Sequence, residues 1–289
     1  MRIGALEAGG TKMVLGVFTQ DGTCLKQHTL STRTPEETVP QIIAFFADEK
    51  INALGIGSFG PLDLNPDSSS YGYITCTPKP AWKDYPLLST MQRSLGVPVN
   101  IDTDVNAAVL AEARFGAAVG CRNAVYVTVG TGIGGGLLVN GQLVHGAGHP
   151  EVGHMLLRAH PDDPIPEGIC PYHKGCLEGL ASGPALAARA GCDPRNLADD
   201  HPALQIEAWY LAQMCLNLTM TLSTERIILG GGVMQRAALL DDVRIQTMRF
   251  INYYVQNPSL SNVKVYITAP KLYPYSGLYG SYLLGLAAL

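Results

Sequence analysis

Cys170, His173 and Cys176 stand in "GICPYHKGCLEG" (168–179), two thiols six positions apart with an imidazole midway. Thiolate sulfur and imidazole nitrogen are ligands for a borderline metal such as zinc, and three of them are one short of a closed tetrahedron. A catalytic zinc would keep the fourth position for water, whereas a structural one needs a further side chain. The plain alternative is a Pro/Gly loop that happens to hold two thiols.

Carboxylates form the second group. "NIDTDVNAA" (100–108) sets Asp102 and Asp104 where a strand pattern gives way to a helix. A carboxylate at that junction can act as a base toward an incoming hydroxyl. Asp104 can also simply cap the helix, since Asp is a favoured N-cap residue. Downstream lie Glu151 and His154 in "HPEVGHM", and Glu178 just after the second thiol. Carboxylates and an imidazole on loops suit hydrogen bonds to sugar hydroxyls, although each taken singly is also ordinary surface.

Glycines form the third. "EAGGTK" (7–12) joins two strand patterns, and "GTGIGGG" (130–136) holds the same place in a later pair. Glycine lets several backbone N–H groups converge and lets a phosphate approach closely. Gly10, Thr11 and Lys12 in the first loop, and Thr131 and Gly132 in the second, supply backbone, hydroxyls and one cation. Neither loop has the P-loop spacing or the dinucleotide fingerprint. A third platform, "LGGGVM" (229–234), suits a nucleoside or, alternatively, close helix–strand packing.

The elements that must position these residues alternate between strand and helix. "RIGALEAGGTKMVLGVFTQDGTCLKQHTL" and "NAVYVTVGTGIGGGLLVNGQLVHGAG" each read as strand, Gly-rich turn, strand, tight turn, strand, with Asp21-Gly22 and Asn140-Gly141 as hairpin signals. The two copies lie about a domain's length apart, which predicts two lobes of similar topology, 1–117 and 118–289. Two equivalent glycine loops predict a cleft that grips a polyphosphate. Helical patterns cover 35–50, 86–96, 104–118, the stretch within 201–223 and that within 234–254. "VKVYITAP" (263–270) reads as a strand, and "YSGLYGSYLLGLAAL" (275–289) as a closing helix free to pack on the first lobe. The expected class is α/β with partly parallel sheets. The long irregular stretch 145–183 holds the Cys/His motif, and such loops are usually functional.

Hydrophobic residues make up 47% of the chain and charged ones 15%, enough for sizeable cores. A net charge of -4 without basic clusters argues against nucleic acid. No stretch has the length of a membrane span, and seven scattered cysteines without a leader pattern predict reduced thiols in the cytoplasm.

In order along the chain, "EAGGTK", "TDVNAA", "GTGIGGG", "EVGHM", "GCLE", "ASGPA" and "LGGGV" together resemble the ROK family of sugar kinases. The resemblance implies a two-lobed actin/hexokinase-like (ribonuclease H-like) fold with an internal duplication. It implies transfer of the ATP γ-phosphate to a hexose, with Mg²⁺ on the nucleotide, a structural Zn²⁺ and a homodimer. Asp104 becomes the base; Thr103, Asp104, Glu151, His154 and Glu178 become sugar-binding. Pro184 and Gly232, Val233, Met234, Gln235 and Arg236 become the adenosine site, and His154 the fourth ligand beside Cys170, His173 and Cys176. "YGYITCTPKPAWKD" (71–84) and "CPYHKGCLEGLASGPA" (170–185) resemble the fructokinase branch, so fructose is the expected hexose. Mannose, glucose or N-acetylmannosamine kinases of the same family, and a non-enzymatic sugar sensor, are the alternatives. The repressor branch carries an N-terminal helix-turn-helix, whereas a strand pattern starts here at residue 2. Two positions depart from the family: Glu7 where Asp is usual, which unsettles a water-mediated metal role, and Thr103 where glucose-phosphorylating members carry Asn.

Overall fold

The computed structural model describes residues 1–289. The chain forms two compact units: Met1–Phe115, Leu143–Pro150 and Leu272–Leu289 in the first, Gly116–Gln142 and Glu151–Lys271 in the second. The path therefore exchanges units at 142/143, 150/151 and 271/272 as well as near residue 115.

In the first unit, β1 (Arg2–Ala8) and β2 (Lys12–Thr19) pair antiparallel, and β3 (Cys24–Ser31) is an exposed edge. α1 (Pro35–Glu49), β4 (Ala53–Ser58), α2 (Leu87–Leu95), β5 (Val99–Thr103) and α3 (Asp104–Phe115) follow. The sheet order is β3-β2-β1-β4-β5, with β4 parallel to both β1 and β5. All six residues of β4 are buried, as a central parallel strand covered on both faces requires.

The second unit repeats the plan. β6 (Ala124–Val129), β7 (Ile133–Val139) and β8 (Gln142–Leu143) precede α4 (Leu177–Ala181), α5 (Gly183–Ala190) and α6 (Pro202–Leu222). Then come β9 (Arg226–Gly230), α7 (Ala237–Ile251), α8 (Val263–Tyr266) and β10 (Ile267–Thr268). In its sheet order, β8-β7-β6-β9-β10, β6 pairs antiparallel with β7 and parallel with β9, and β9 parallel with β10, as β1 does with β2 and β4, and β4 with β5. The duplication expected from the hairpins is a duplication of the whole sheet.

One strand is shorter than expected. The Asn262 side chain accepts from the Val265 N–H, so residues 263–266 close a helical turn, and only Ile267 and Thr268 pair with β9. No helix is long and apolar enough to cross a membrane.

α9 (Ser276–Ala287) ends the chain in the first unit and packs on α3, β1 and β4 through glycines. A Cβ on Gly280 would lie 1.8 Å from the Ala107 carbonyl oxygen, and one on Gly55 1.9 Å from that of Ser281. Both positions exclude any side chain. Ser281 Oγ accepts from the Gly57 N–H at 3.0 Å.

Candidate active site and metal centre

β5 ends where α3 begins, and this junction holds the carboxylates. Thr103, not Asp104, is the N-cap: its buried Oγ accepts from the Asn106 N–H at 3.1 Å. Asp104 is the first helical residue, with Oδ1 accepting from the Val105 N–H at 2.9 Å. There the unpaired N–H groups of the first turn favour a negative side chain. Asp102, 4% exposed, accepts at Oδ1 from the Thr103 N–H and the Asn106 amide, each at 2.7 Å. Its Oδ2 accepts from His145 Nε2 at 2.8 Å. That hydrogen bond raises the His145 pKa above the usual imidazole range, against the effect of burial. His145 was not among the residues singled out by sequence; a lone histidine in "LVHGAG" carries no spacing signal.

The first glycine loop is closed by the Gly9 N–H donating to the Lys12 carbonyl at 3.1 Å. Lys79, also missed by sequence, borders it: a Cβ on Gly10 would lie 3.3 Å from Lys79 Cε. Glu7, at the end of β1, lies against Gly277 and accepts from the Leu278 N–H in the first turn of α9. Its Oε2 is shielded from solvent and has no partner. Burial, and then the charge of Asp104, push its pKa up to about 7, with Lys12 acting the other way.

In the second unit, the loop after β6 is tied from two sides. Gly183 N–H donates to the Gly130 carbonyl at 2.7 Å, and Glu178 Oε2 accepts from the Ile133 N–H at 2.9 Å. Glu178, expected to hold a sugar hydroxyl, thus spends one oxygen on the glycine loop. Beside this loop a pocket of about 500 Å³ is lined by Gly130, Thr131, Pro184, Gly232, Val233 and Arg236, among others. Met234 and Gln235 are outside that lining: Met234 is 5% exposed and faces the core, and Gln235 Nε2 donates to the Gly231 carbonyl. Arg236 builds the pocket wall. Its guanidinium donates to Asp199 at 2.6 Å and to the Pro194 and Leu197 carbonyls at 2.9 Å each.

The long loop brings four donors together. Ligand atoms of His154, Cys170, His173 and Cys176 all lie within 4.8 Å of one another. His154 Nδ1 is 3.7 Å from Cys176 Sγ and 3.9 Å from Cys170 Sγ, and His173 Nδ1 is 3.9 Å from Cys170 Sγ. Zinc bonds of about 2.1 Å to nitrogen and 2.3 Å to sulfur set the N···S edge of a tetrahedron near about 3.6 Å. The donor set and its spacing therefore fit a tetrahedral metal. His154 points its Nδ1 at the thiols, which makes it a ligand candidate rather than a sugar contact at that atom. Burial, with Cys170 close by, pushes the Cys176 thiol up to about 11.

A second restraint on this loop was not visible in the sequence. Buried Arg189 of α5 donates to both oxygens of Asp163, at 3.2 and 3.1 Å, and to Glu207 of α6 at 3.1 Å. The Tyr210 hydroxyl donates to Asp163 at 2.7 Å. Isolated Asp, Arg, Glu and Tyr letters far apart give no motif to read.

Two α/β units of one sheet plan, with glycine loops after the first strand of each, define a hexokinase-like fold. The chain belongs to the ROK family, which it matches over residues 3–287. The fructokinase of Zymomonas mobilis is 43% identical over 293 residues, covering 99% of this chain and 96% of that protein. The fructokinase of Lactococcus lactis subsp. cremoris is 42% identical over 267 residues, covering 92% of this chain and 90% of that one. A ROK family glucokinase from Streptomyces griseus, solved with glucose and AMPPNP, has a TM-score of 0.76 at 26% identity, covering 99% of each chain.

The buried Glu7 carboxyl yields a stability prediction. Its folded pKa lies above the ordinary value of 4.5, so its contribution is fully present below pH 4.5 and is lost as pH rises through about 7. Glu7→Gln removes this titration while its amide oxygen still accepts from Leu278. The melting temperature of the variant relative to wild type should rise between pH 5 and pH 8, by the equivalent of roughly 2–3 kcal/mol. A difference that stays flat across that range counts against a buried, proton-holding Glu7.

Proposed function

We propose that this chain is an ATP-dependent hexose kinase that converts D-fructose to fructose 6-phosphate. The observation that carries the reading is Asp104, a carboxylate at the head of α3, held by the Val105 N–H and next to a fully hydrogen-bonded Asp102. Asp104 accepts the proton of the sugar 6-hydroxyl as the O6–Pγ bond forms and the bond from Pγ to the β–γ bridging oxygen breaks. ADP departs with that bond's electrons. Catalysis of phosphoryl transfer is mostly positioning and charge stabilisation, and the base orients the nucleophile.

The pocket beside Thr131, Pro184, Gly232 and Val233 takes the adenosine, with Arg236 shaping it from behind. Gly10, Thr11 and Lys12, together with Thr131 and Gly132, hold phosphate oxygens. Mg²⁺ bound with the nucleotide would neutralise phosphate charge. The unpartnered Oε2 of Glu7 is the acceptor this chain would offer to a water on that ion. Glu151 is retained as a ligand for sugar hydroxyls. Fructose is favoured by the 42–43% identity to fructokinases and by Thr103 in place of the Asn of glucose-phosphorylating members.

Zinc held by His154, Cys170, His173 and Cys176 is structural in this reading, because four protein ligands leave no site for water. His154 lies three residues from Glu151, and Cys176 two before Glu178, so the metal steadies the segments that carry both carboxylates.

Three measurements test this. Asp104→Asn should lower kcat by about 10²–10⁴-fold with a smaller change in sugar KM; activity within threefold of wild type would leave Asp104 as a helix-end residue only. In a coupled assay over a panel of hexoses, fructose should have a higher kcat/KM than glucose, and an equal or reversed ratio removes the fructokinase assignment. Metal analysis of protein purified without added zinc should give one equivalent per chain, and His173→Ala should release it and raise the sugar KM. Less than about half an equivalent with full activity returns the motif to a loop with two thiols.

A further inference from the structure

Asp102 is a buried carboxylate two residues before the proposed base, and three donors reach it: two in α3 and its cap, one on another segment. That segment is Leu143–Pro150, which belongs to the first unit although the residues on either side belong to the second. It is tied down twice. His145 Nε2 donates to Asp102 Oδ2 at 2.8 Å, and His149 Nε2 accepts from the Leu62 N–H at 3.0 Å. Between these two ties the Gly146 N–H donates to the Gly148 carbonyl at 2.9 Å, a tight reversal.

We propose that His145 is a positioning residue for Asp104, acting through Asp102. The proposal rests on Asp104 being the base. Asp102 Oδ1 holds the Thr103 N–H and the Asn106 amide, so it fixes both the N-cap residue and the next turn of α3. Asp104 lies between these two attachments. Asn106 is 1% exposed and its Oδ1 has no partner, so the amide is oriented by the one bond its NH₂ makes to Asp102. Asp102 can hold both groups at Oδ1 only while it keeps this rotamer. A buried carboxylate is costly unless paired and hydrogen-bonded. The partner able to carry a compensating positive charge in this hydrogen-bonded set is His145, whose imidazolium form Asp102 itself favours.

Removing His145 leaves Asp102 with an unpaired buried oxygen. That carboxylate can relieve it by rotating toward another donor, and the rotation releases Asn106 or Thr103. The base then shifts by a fraction of an ångström, and misplacement of about 1 Å costs up to about 10²-fold in rate. The imidazole meets the head of α3 at Asp102 Oδ2, so its effect passes through that carboxylate.

The test compares wild type with Asp104→Asn, His145→Ala and His145→Gln as full chains in the fructose assay, with melting temperatures for each. Gln retains an N–H donor that reaches Asp102; Ala does not. His145→Ala should lower kcat by about 10-fold or more, with the ATP KM within twofold of wild type. His145→Gln should restore kcat to within about threefold. Three results overturn the proposal while Asp104→Asn remains inactive: kcat of His145→Ala within twofold of wild type, a rise in sugar KM with kcat intact, or equal losses in Ala and Gln. Full activity in Asp104→Asn instead sinks the base assignment itself, whatever the His145 variants do.

Discussion

The end of the first unit that carries Asp104 depends on two backbones meeting with nothing between them. α3 carries Asp104, and α9 lies against it so closely that any side chain on Gly280 would overlap the Ala107 carbonyl. On its other side α9 meets β4, where Gly55 is equally bare and Ser281 Oγ takes the Gly57 N–H. Helix, helix and strand are therefore held by steric contact over backbone atoms, which packs without adjustable parts. Glu7 adds a link in the same place: its carboxyl accepts from Leu278 in the first turn of α9, and Gly277 leaves room for a side chain one methylene longer than Asp. The long Glu7 side chain is accommodated by a neighbouring glycine.

The repeated sheet explains why similar glycine loops serve both units. In each, the first two strands are antiparallel, and their connection emerges at the same corner of the same strand order. In the first unit the loop is closed on its own Lys12 carbonyl, bordered by Lys79. In the second it is braced by Gly183 and by Glu178 from the start of α4. The loop chemistry is shared, whereas the bracing comes from segments with no counterpart in the other copy.

What was legible in the sequence follows periodicity and composition. Hairpin signals at Asp21-Gly22 and Asn140-Gly141, the long helices and the Cys/His spacing are local, and the family motifs add their order along the chain. The class and the duplication could be read from those. The strand expected over 263–270 failed because one Asn side chain captured an N–H three residues on, a local bond that competes with sheet pairing. Thr103 rather than Asp104 caps α3 for a comparable reason, since both residue types cap well and the choice is set by where β5 ends. His145, Lys79 and the Arg189 network were illegible because their meaning lies in pairings across tens of residues, which no spacing rule encodes.

The loop that holds the four donors shows how two restraints divide one segment. Around Asp163, shape is set by the permanently charged Arg189, whose fork matches the carboxylate. Burial pushes the second acid, Glu207, up to about 8, while the same guanidinium acts the other way. That arrangement needs nothing from outside the chain. Around Cys170–Cys176 the situation is opposite: burial disfavours the thiolate at Cys176, and the backbone there is fixed by only a few bonds, such as Leu157 to Gly175 and Leu177 to Met155. A cation that stabilises thiolates reverses that preference and closes the segment at the same moment. The half of the loop next to Glu178 thus gathers four metal-type donors, while the half next to Arg189 is held by an ion-paired network within the chain.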